Sequence, residues 1–391
     1  MGRQMRQGLS HASLLRDVSA APAQRSRRGL DAIVVPAGRT ASDLEEAISL
    51  SARTSVPLVV LCSRHVTIGQ VDQRVRKTRG ARALVIAIPE GYQIPGYKPS
   101  TSDKMFWEAS ARRSSDLSVK RNLGLLLGRM RGWTKLLFLD DDIRQVREQD
   151  LDRLVSVLDR HPVASMVSRR FPDNSVVCHA RRLAGLRQDV FVSGAVLGVN
   201  LQQQTLSFFP DIYNEDWFFF ARHAARRSLP KIGEVRQAAY HPFAIPWRAK
   251  REEFGDLLGE GLYALFEREP GLDLEDHLRV AKQPEYWESF AKVRRDMIEH
   301  TETSLRRAER EGDVDPLTIK QALQSLEAAK EQSLVITREL CVEFIESWLK
   351  DEDSWQHVLR DETDVLSESE ALARCALTEW MPCGYGVGSD T

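Results

Sequence analysis

Short apolar runs alternate with helically spaced segments over residues 30–284. Ala32–Val35 and Pro57–Cys62 are β-branched or leucine-rich runs bounded by turn residues, a pattern that predicts buried strands. Between them, Asp43–Arg53 carries Leu44, Ala47, Ile48 and Ala52 on one side, as a helix does. Ala83–Ile88 reads as a third strand closed by Pro89. Strand–helix–strand units of this length imply a parallel sheet with helices on its faces. Pro89–Ser115, rich in Gly, Pro, Ser and Tyr, reads as a long loop of the kind that forms lids or stays disordered. Asp116 is placed to cap a helix running to about Arg131, with Leu123, Leu126, Leu127 and Met130 on its buried stripe and Gly132 ending it. Lys135–Leu139 is a further strand, and it runs directly into three carboxylates.

From about Glu285 the texture changes to long charged helices. Asp315-Pro316 is a helix start, an N-cap followed by proline at the first helical position. Ile319, Leu323, Leu326, Leu334, Thr337, Cys341, Phe344 and Trp348 recur at helical intervals, which predicts one helix of roughly 30 residues packed against the rest of the chain. The same stripe would also serve homo-oligomerisation or a partner. Residues from Met381 onward are glycine-rich and expected to fray. The first 29 residues carry Arg3, Arg6, Arg16, Arg25, Arg27 and Arg28 without an apolar stretch, and read as a loose basic tail. The expected organisation is therefore a tail over 1–29, an α/β domain over 30–284 and an acidic helical region over 285–391.

Composition narrows the class. Of 391 residues, 55 are Lys or Arg and 56 Asp or Glu; 42% are hydrophobic, which excludes fibrous and wholly disordered chains. No apolar run approaches the ~18 residues of a spanning helix, so no transmembrane segment is expected. The cysteines, Cys62, Cys178, Cys341, Cys375 and Cys383, are scattered and odd in number, which argues against a disulfide framework and for a cytoplasmic setting. The net charge of −1 hides an asymmetry: residues 285–391 hold 24 acidic and 12 basic side chains, the first 284 residues 32 and 43. A basic front part suits an anionic ligand such as a nucleotide diphosphate, or an anionic acceptor. No nucleic-acid partner is expected.

The sharpest chemical signal is Leu136-Leu137-Phe138-Leu139-Asp140-Asp141-Asp142-Ile143. A buried strand ending in adjacent carboxylates puts them at the carboxyl edge of the sheet, where α/β ligand sites form. Strand alternation would send Asp140 and Asp142 to one side and Asp141 to the other. Two hard oxygen ligands converging there suit Mg²⁺ or Mn²⁺, with phosphate oxygens completing the shell. A plain solvated turn has no reason to tolerate three mutually repelling carboxylates.

The strand plus Asp-x-Asp resembles the nucleotide-sugar site of GT-A-fold glycosyltransferases, and other segments fall in matching order over residues 30–250. Val34-Val35-Pro36-Ala37-Gly38-Arg39 resembles the first strand and its nucleotide-contacting turn. Lys120-Arg121-Asn122-Leu123-Gly124 resembles the Arg-Asn-x-Gly segment before the Asp-x-Asp strand. Val192–Gly198, with Gly194, resembles the strand near the donor sugar, and Asn214-Glu215-Asp216-Trp217 the Glu-Asp motif opening the acceptor-side helix. The resemblance implies a GT-A-like (Rossmann-like), mostly parallel sheet flanked by helices, followed by a C-terminal α-helical region.

It further implies a metal-dependent glycosyltransferase moving a sugar from a nucleotide-diphosphate donor to a hydroxyl acceptor, by inversion or retention. Pro36, Ala37, Arg39, Lys120, Arg121, Asp140, Asp141 and Gly194 would bind the donor. Asp140, Asp142 and His241 would hold Mn²⁺ or Mg²⁺, His241 by analogy with retaining members such as glucosyl-3-phosphoglycerate synthase. Asp216, with Glu215, would act on the acceptor hydroxyl, and Trp217 would serve either as core or as a stacking platform. One departure is Cys62-Ser63, which stands where many members carry an acid at the end of the second strand. A sugar-1-phosphate nucleotidyltransferase shares sheet and metal, but only Gly38-Arg39-Thr40 survives of its glycine-rich loop. A non-catalytic scaffold using the acidic helices is the other rival.

Overall fold

The computed structural model describes residues 8, 10–22, 26, 28–169, 175–188, 190–203, 205–312, 314–361 and 364–384. In chain order the elements are β1 (Leu15–Asp17), β2 (Ala32–Ala37), α1 (Glu45–Thr54), β3 (Leu58–Cys62), α2 (Ile68–Lys77), β4 (Ala83–Ala87), α3 (Lys104–Ala109), α4 (Leu117–Met130), β5 (Lys135–Leu139), β6 (Ile143–Arg144), α5 (Glu148–Val157) and β7 (Val163–Arg169). Then follow α6 (Val176–Leu183), β8 (Val196–Asn200), α7 (Glu215–Ala225), β9 (Leu229–Gln237), α8 (Trp247–Arg268), α9 (Leu274–Ala281), α10 (Pro284–Glu311), α11 (Pro316–Ser333), α12 (Arg338–Asp361), α13 (Glu368–Arg374) and β10 (Trp380–Cys383).

The strands form one sheet in the order β1-β9-β7-β8-β5-β2-β3-β4-β10, with β6 paired to β9. Among the described residues five of the nine pairings are parallel and four antiparallel, so the sheet is mixed rather than mostly parallel. β2, β3 and β5 are buried along their whole length, which is why they read as unbroken apolar runs. Helices α1, α2 and α5 cover one face and α4, α7 and α8 the other. Helix α4 lies so close to the sheet that a Cβ on Gly124 would meet the Phe138 ring at 2.8 Å.

Four expectations are corrected. Residues 1–7, 9, 23–25 and 27 of the expected tail lie outside the described residues, but Leu15–Asp17 is a strand paired with β9. His11, just before it, is fully buried, with Phe191, Trp217 and Tyr263 around its ring. Pro89–Ser115 is no open loop: it contains α3, and Ile94, Tyr97 and Phe106 join the core. The expected long helix is two, α11 and α12, because the chain breaks at Leu334–Thr337 and Thr337 Oγ1 caps the second by accepting from Leu340 N. Trp380–Cys383 pairs antiparallel with β4 instead of fraying; residues 385–391 lie outside the described residues.

The C-terminal region shares its core with the α/β part. Phe344 and Trp348 pack on Phe218 of α7, and Asp351 accepts hydrogen bonds from Ser100 N, Thr101 N and Thr101 Oγ1 at 2.7–2.8 Å. The fully buried Arg294 of α10 bonds Glu253 and Asp256 of α8. The apolar stripe is thus largely spent inside the chain.

Candidate active site

A cleft of about 300 Å³ opens where β2 and β5 end, walled by the start of α4, the segment before β8, the start of α7 and the chain after β9. Of the residues singled out in the sequence, Pro36, Arg39, Lys120, Arg121, Asp140, Asp141, Asp142, Glu215, Asp216 and Trp217 line it. Segments spanning some 180 residues therefore meet in one place.

Asp140, Asp141 and Asp142 follow β5 in a turn, with Ile143 N donating to Asp140 O, so strand alternation no longer sorts them. Their surroundings do. The Arg121 guanidinium donates to both Asp140 oxygens at 2.9 and 3.1 Å. Asp141 Oδ2 accepts from the backbone N–H groups of Gly38 and Arg39 at 3.0 and 3.2 Å. Arg39 Nη1 touches both Asp141 Oδ1, at 2.9 Å, and Asp142 Oδ2. Asp142 Oδ2 also accepts from Gln237 Nε2 at 2.9 Å. Burial raises the Asp141 carboxyl above its usual range, with Arg39 and the Gly38 N–H opposing it. Burial works against the Arg39 charge, but Asp142 and Asp141 outweigh it and hold Arg39 cationic.

The cations singled out from the sequence have unlike roles. Arg121 is buried: besides Asp140 it donates to Glu215 Oε1 at 2.6 Å and Gly194 O at 3.3 Å. Lys120 is buried too, tying Ala37 O at 2.8 Å, Ser63 Oγ at 2.7 Å and Asp116 at 3.0 Å, so it fastens the ends of β2 and β3. Asp116 is thereby turned to Lys120, and its side chain makes no cap bond to α4. Arg39 differs, with its side chain 49% exposed. Asn122, next to Arg121, clasps the Phe209 backbone through both amide atoms at 2.8 Å.

On the opposite wall, Asp216 Oδ2 accepts from Gly194 N at 2.5 Å. A Cβ on Gly194 would meet Asp216 Cβ at 2.7 Å, which requires glycine there. Gly194 therefore positions Asp216 and Arg121 from behind, and Ala37 lends its carbonyl to Lys120; neither lines the cleft. Trp217 is buried and donates Nε1–H to Val192 O.

His241 is exposed, its ring against Phe243, and does not line the cleft. Among the described residues no three His, Cys, Asp or Glu side chains converge as a metal cage. The cleft still suits a hard divalent cation bound by one or two carboxylates plus ligand phosphates. Its donors are hard oxygens, and the buried Gln237 Oε1 beside Asp142 has no hydrogen-bond partner among the described residues.

The sequence reading missed Arg64, Arg113, Tyr213, Gln237, Tyr240 and Arg248, all of which line the cleft. Tyr240 immediately precedes His241. Its hydroxyl lies 3.2 Å from His179 Nε2 and accepts from Arg248 at 3.0 Å. Arg248 stacks over its ring and bonds the buried Glu252 at 2.6 Å. A histidine is the conspicuous residue type in such a segment, and only contacts reveal the tyrosine.

No protein-family model matches the chain, and no curated protein does. Among solved structures it is similar to the mannosyltransferase PcManGT from Pyrobaculum calidifontis in complex with GDP-Man and Mn²⁺, at 16% identity and a TM-score of 0.42, over 81% of this chain and 90% of that one.

Proposed function

We propose that this cleft transfers a sugar from a nucleotide-diphosphate donor to a hydroxyl acceptor. The observation that carries the reading is the meeting of three consecutive carboxylates at the end of β5 with a Glu-Asp pair opening α7, across one cleft that also holds an exposed arginine. A binding scaffold has no use for so many carboxylates held in place around a cavity.

Asp140 and Asp142 would hold Mg²⁺ or Mn²⁺, which when bound neutralises the diphosphate leaving group as a Lewis acid. Arg39 is able to turn to the phosphates, since half its side chain already meets solvent. Lys120 fixes the floor beneath it. Asp216 sits in the first turn of α7, where the helix dipole favours its anion, and the Gly194 N–H fixes one of its oxygens. Asp216 would take the proton of the acceptor hydroxyl as the sugar transfers. Glu215, tied to Arg121, would position the two walls.

A thermal-shift screen of nucleotide sugars with and without Mn²⁺ tests the proposal. A true donor at about 100-fold excess over its Kd stabilises by roughly 2.7 kcal/mol. For 391 residues at ~2.1 cal/mol/K each, that is a rise of about 3 °C. A screen in which no nucleotide sugar shifts the transition in either condition refutes the reading.

A further inference from the structure

Ten large apolar side chains are exposed among the described residues, and six of them, Met105, Trp107, Ile245, Trp247, Leu334 and Val335, belong to elements joined at one corner. Phe106 of α3, between the first two, packs its ring against Phe254 of α8 and Phe344 of α12. Gln332, at the end of α11, donates to Ala109 O at the end of α3. Lys250, in the first turn of α8, pairs with Glu331 of α11 at 3.4 Å. These contacts bring α3, the start of α8 and the end of α11 together. Trp247 is 63% exposed and Leu334 77%, although Ile319, Leu326, Cys341, Phe344 and Trp348 of the stripe to which Leu334 belongs are buried.

The corner is basic as well as apolar. Segments 98–113, 245–251 and 327–335 contain Lys98, Lys104, Arg112, Arg113, Arg248, Lys250, Arg251 and Lys330 against Asp103, Glu108, Glu327 and Glu331. Arg112 lies over the Trp107 ring, 5.6 Å from its centroid. It is held there by two successive left-handed residues, Ala111 and Arg112, and by its N–H bond to Trp107 O at 2.8 Å. The corner also adjoins the cleft, because Arg113 and Arg248, from the first two of these segments, line it.

We propose that this corner docks on an anionic lipid bilayer, and that the acceptor hydroxyl is carried by a molecule seated in that surface. Two exposed tryptophans flanked by lysine and arginine are the side chains that settle at the headgroup level, aromatic rings in the boundary and cations on the phosphates. A protein partner would be met by a drier patch with fewer charges at its centre. No helix of the described residues is long and apolar enough to cross a membrane, and the docking proposed is through side chains at the surface. The acceptor assignment rests on the glycosyl-transfer reading; the docking itself does not.

Flotation of the full chain with vesicles of equal parts phosphatidylglycerol and phosphatidylcholine tests this. The protein should float at low salt, and about 0.5 M salt should release most of it, since exposed charge pairs are then screened within a few ångströms. Trp107→Ser with Trp247→Ser, and separately Lys250→Glu with Arg251→Glu, should each lower the bound fraction about tenfold or more. Both variants should keep the native chain's thermal shift with nucleotide sugar and Mn²⁺, which shows that fold and cleft survive. Failure of the native chain to float, or equal flotation of the double tryptophan variant, overturns the docking. A concentration-dependent dimer abolished by Trp107→Ser and Trp247→Ser, without flotation of the native chain, would assign the corner to a second copy instead. A chain that floats but shows no donor-induced shift would retain the docking and sink the acceptor assignment along with glycosyl transfer.

Discussion

Arg121 joins the two walls of the cleft, and its removal should cost several kcal/mol of stability. The guanidinium is 2% exposed and bonds Asp140, Glu215 and Gly194 O, so Arg121→Met leaves a buried Glu215 carboxylate without its cation. Methionine fills much of the volume, which isolates the charge effect from a cavity effect. Removing one partner of a buried pair costs about 3–5 kcal/mol. At ~2.1 cal/mol/K per residue over 391 residues, the midpoint should fall by about 4–6 °C. Arg121→Lys should also lose most of that stability, because one ammonium cannot serve three acceptors placed for a planar fork. The double variant Arg121→Met, Glu215→Gln removes the stranded charge and should recover about half the loss. Differential scanning calorimetry at pH 7.5 decides it. A fall below about 1 °C, or a double variant no better than the single, would show that Arg121 does not bind the walls together.

Arg39→Ala should tighten Mn²⁺ binding in the absence of nucleotide by freeing Asp142, and weaken donor binding about tenfold; titration calorimetry reads both. Asp216→Asn should lower turnover about 10²–10⁴-fold with donor affinity nearly unchanged if transfer inverts the anomeric centre, and NMR of the product anomer tells whether it does. His11 and His179 are buried, and burial holds each down to about 3, so both fold as neutral rings. The unfolded chain then binds more protons between about pH 6.5 and 3. Stability should fall by about 2 kcal/mol per histidine from pH 7 to 5, and His11→Phe should remove its share in a urea titration at both pH values. Burial pushes the Glu352 carboxyl up to about 7, the opposite sign, so its penalty grows as pH rises from 4.5 through 7. Glu352→Gln should therefore stabilise by about 1–3 kcal/mol at pH 8 and by almost nothing at pH 4.5.

What the sequence made legible follows from how local each signal is. β5 has its expected ends, and β2, β3 and β4 lie within a residue or two of theirs, because strands buried on both faces must be apolar throughout. The long-range consequences were hidden. Leu15–Asp17 is too short and too polar to read as a strand, and exists because β9 offers an edge. Trp380–Cys383 likewise finds its edge on β4 across nearly 300 residues. Neither pairing leaves a periodic trace in its own segment.

The same division runs through the cleft. Residue type announced the carboxylates at 140–142 and 215–216, since nothing else explains such charges beside buried strands. Which cation faces which carboxylate is a matter of depth, and depth is a tertiary property. Lys120 and Arg121 are adjacent on α4, yet one locks β2 to β3 and the other spans the cleft from Asp140 to Glu215. Both are engaged in bonds within the fold that tie the walls and floor of the cleft. Arg39 is different because it leaves β2 at the rim, where two carboxylates hold it and solvent still reaches half of it. A ligand bringing its own anionic charge, together with a cation for Asp142, can compete for Arg39, whose guanidinium solvent already reaches although the carboxylates it pairs with are buried. The cleft is thus rigid at Lys120 and Arg121, which are buried, and exchangeable at Arg39, on the rim where an incoming diphosphate would meet it.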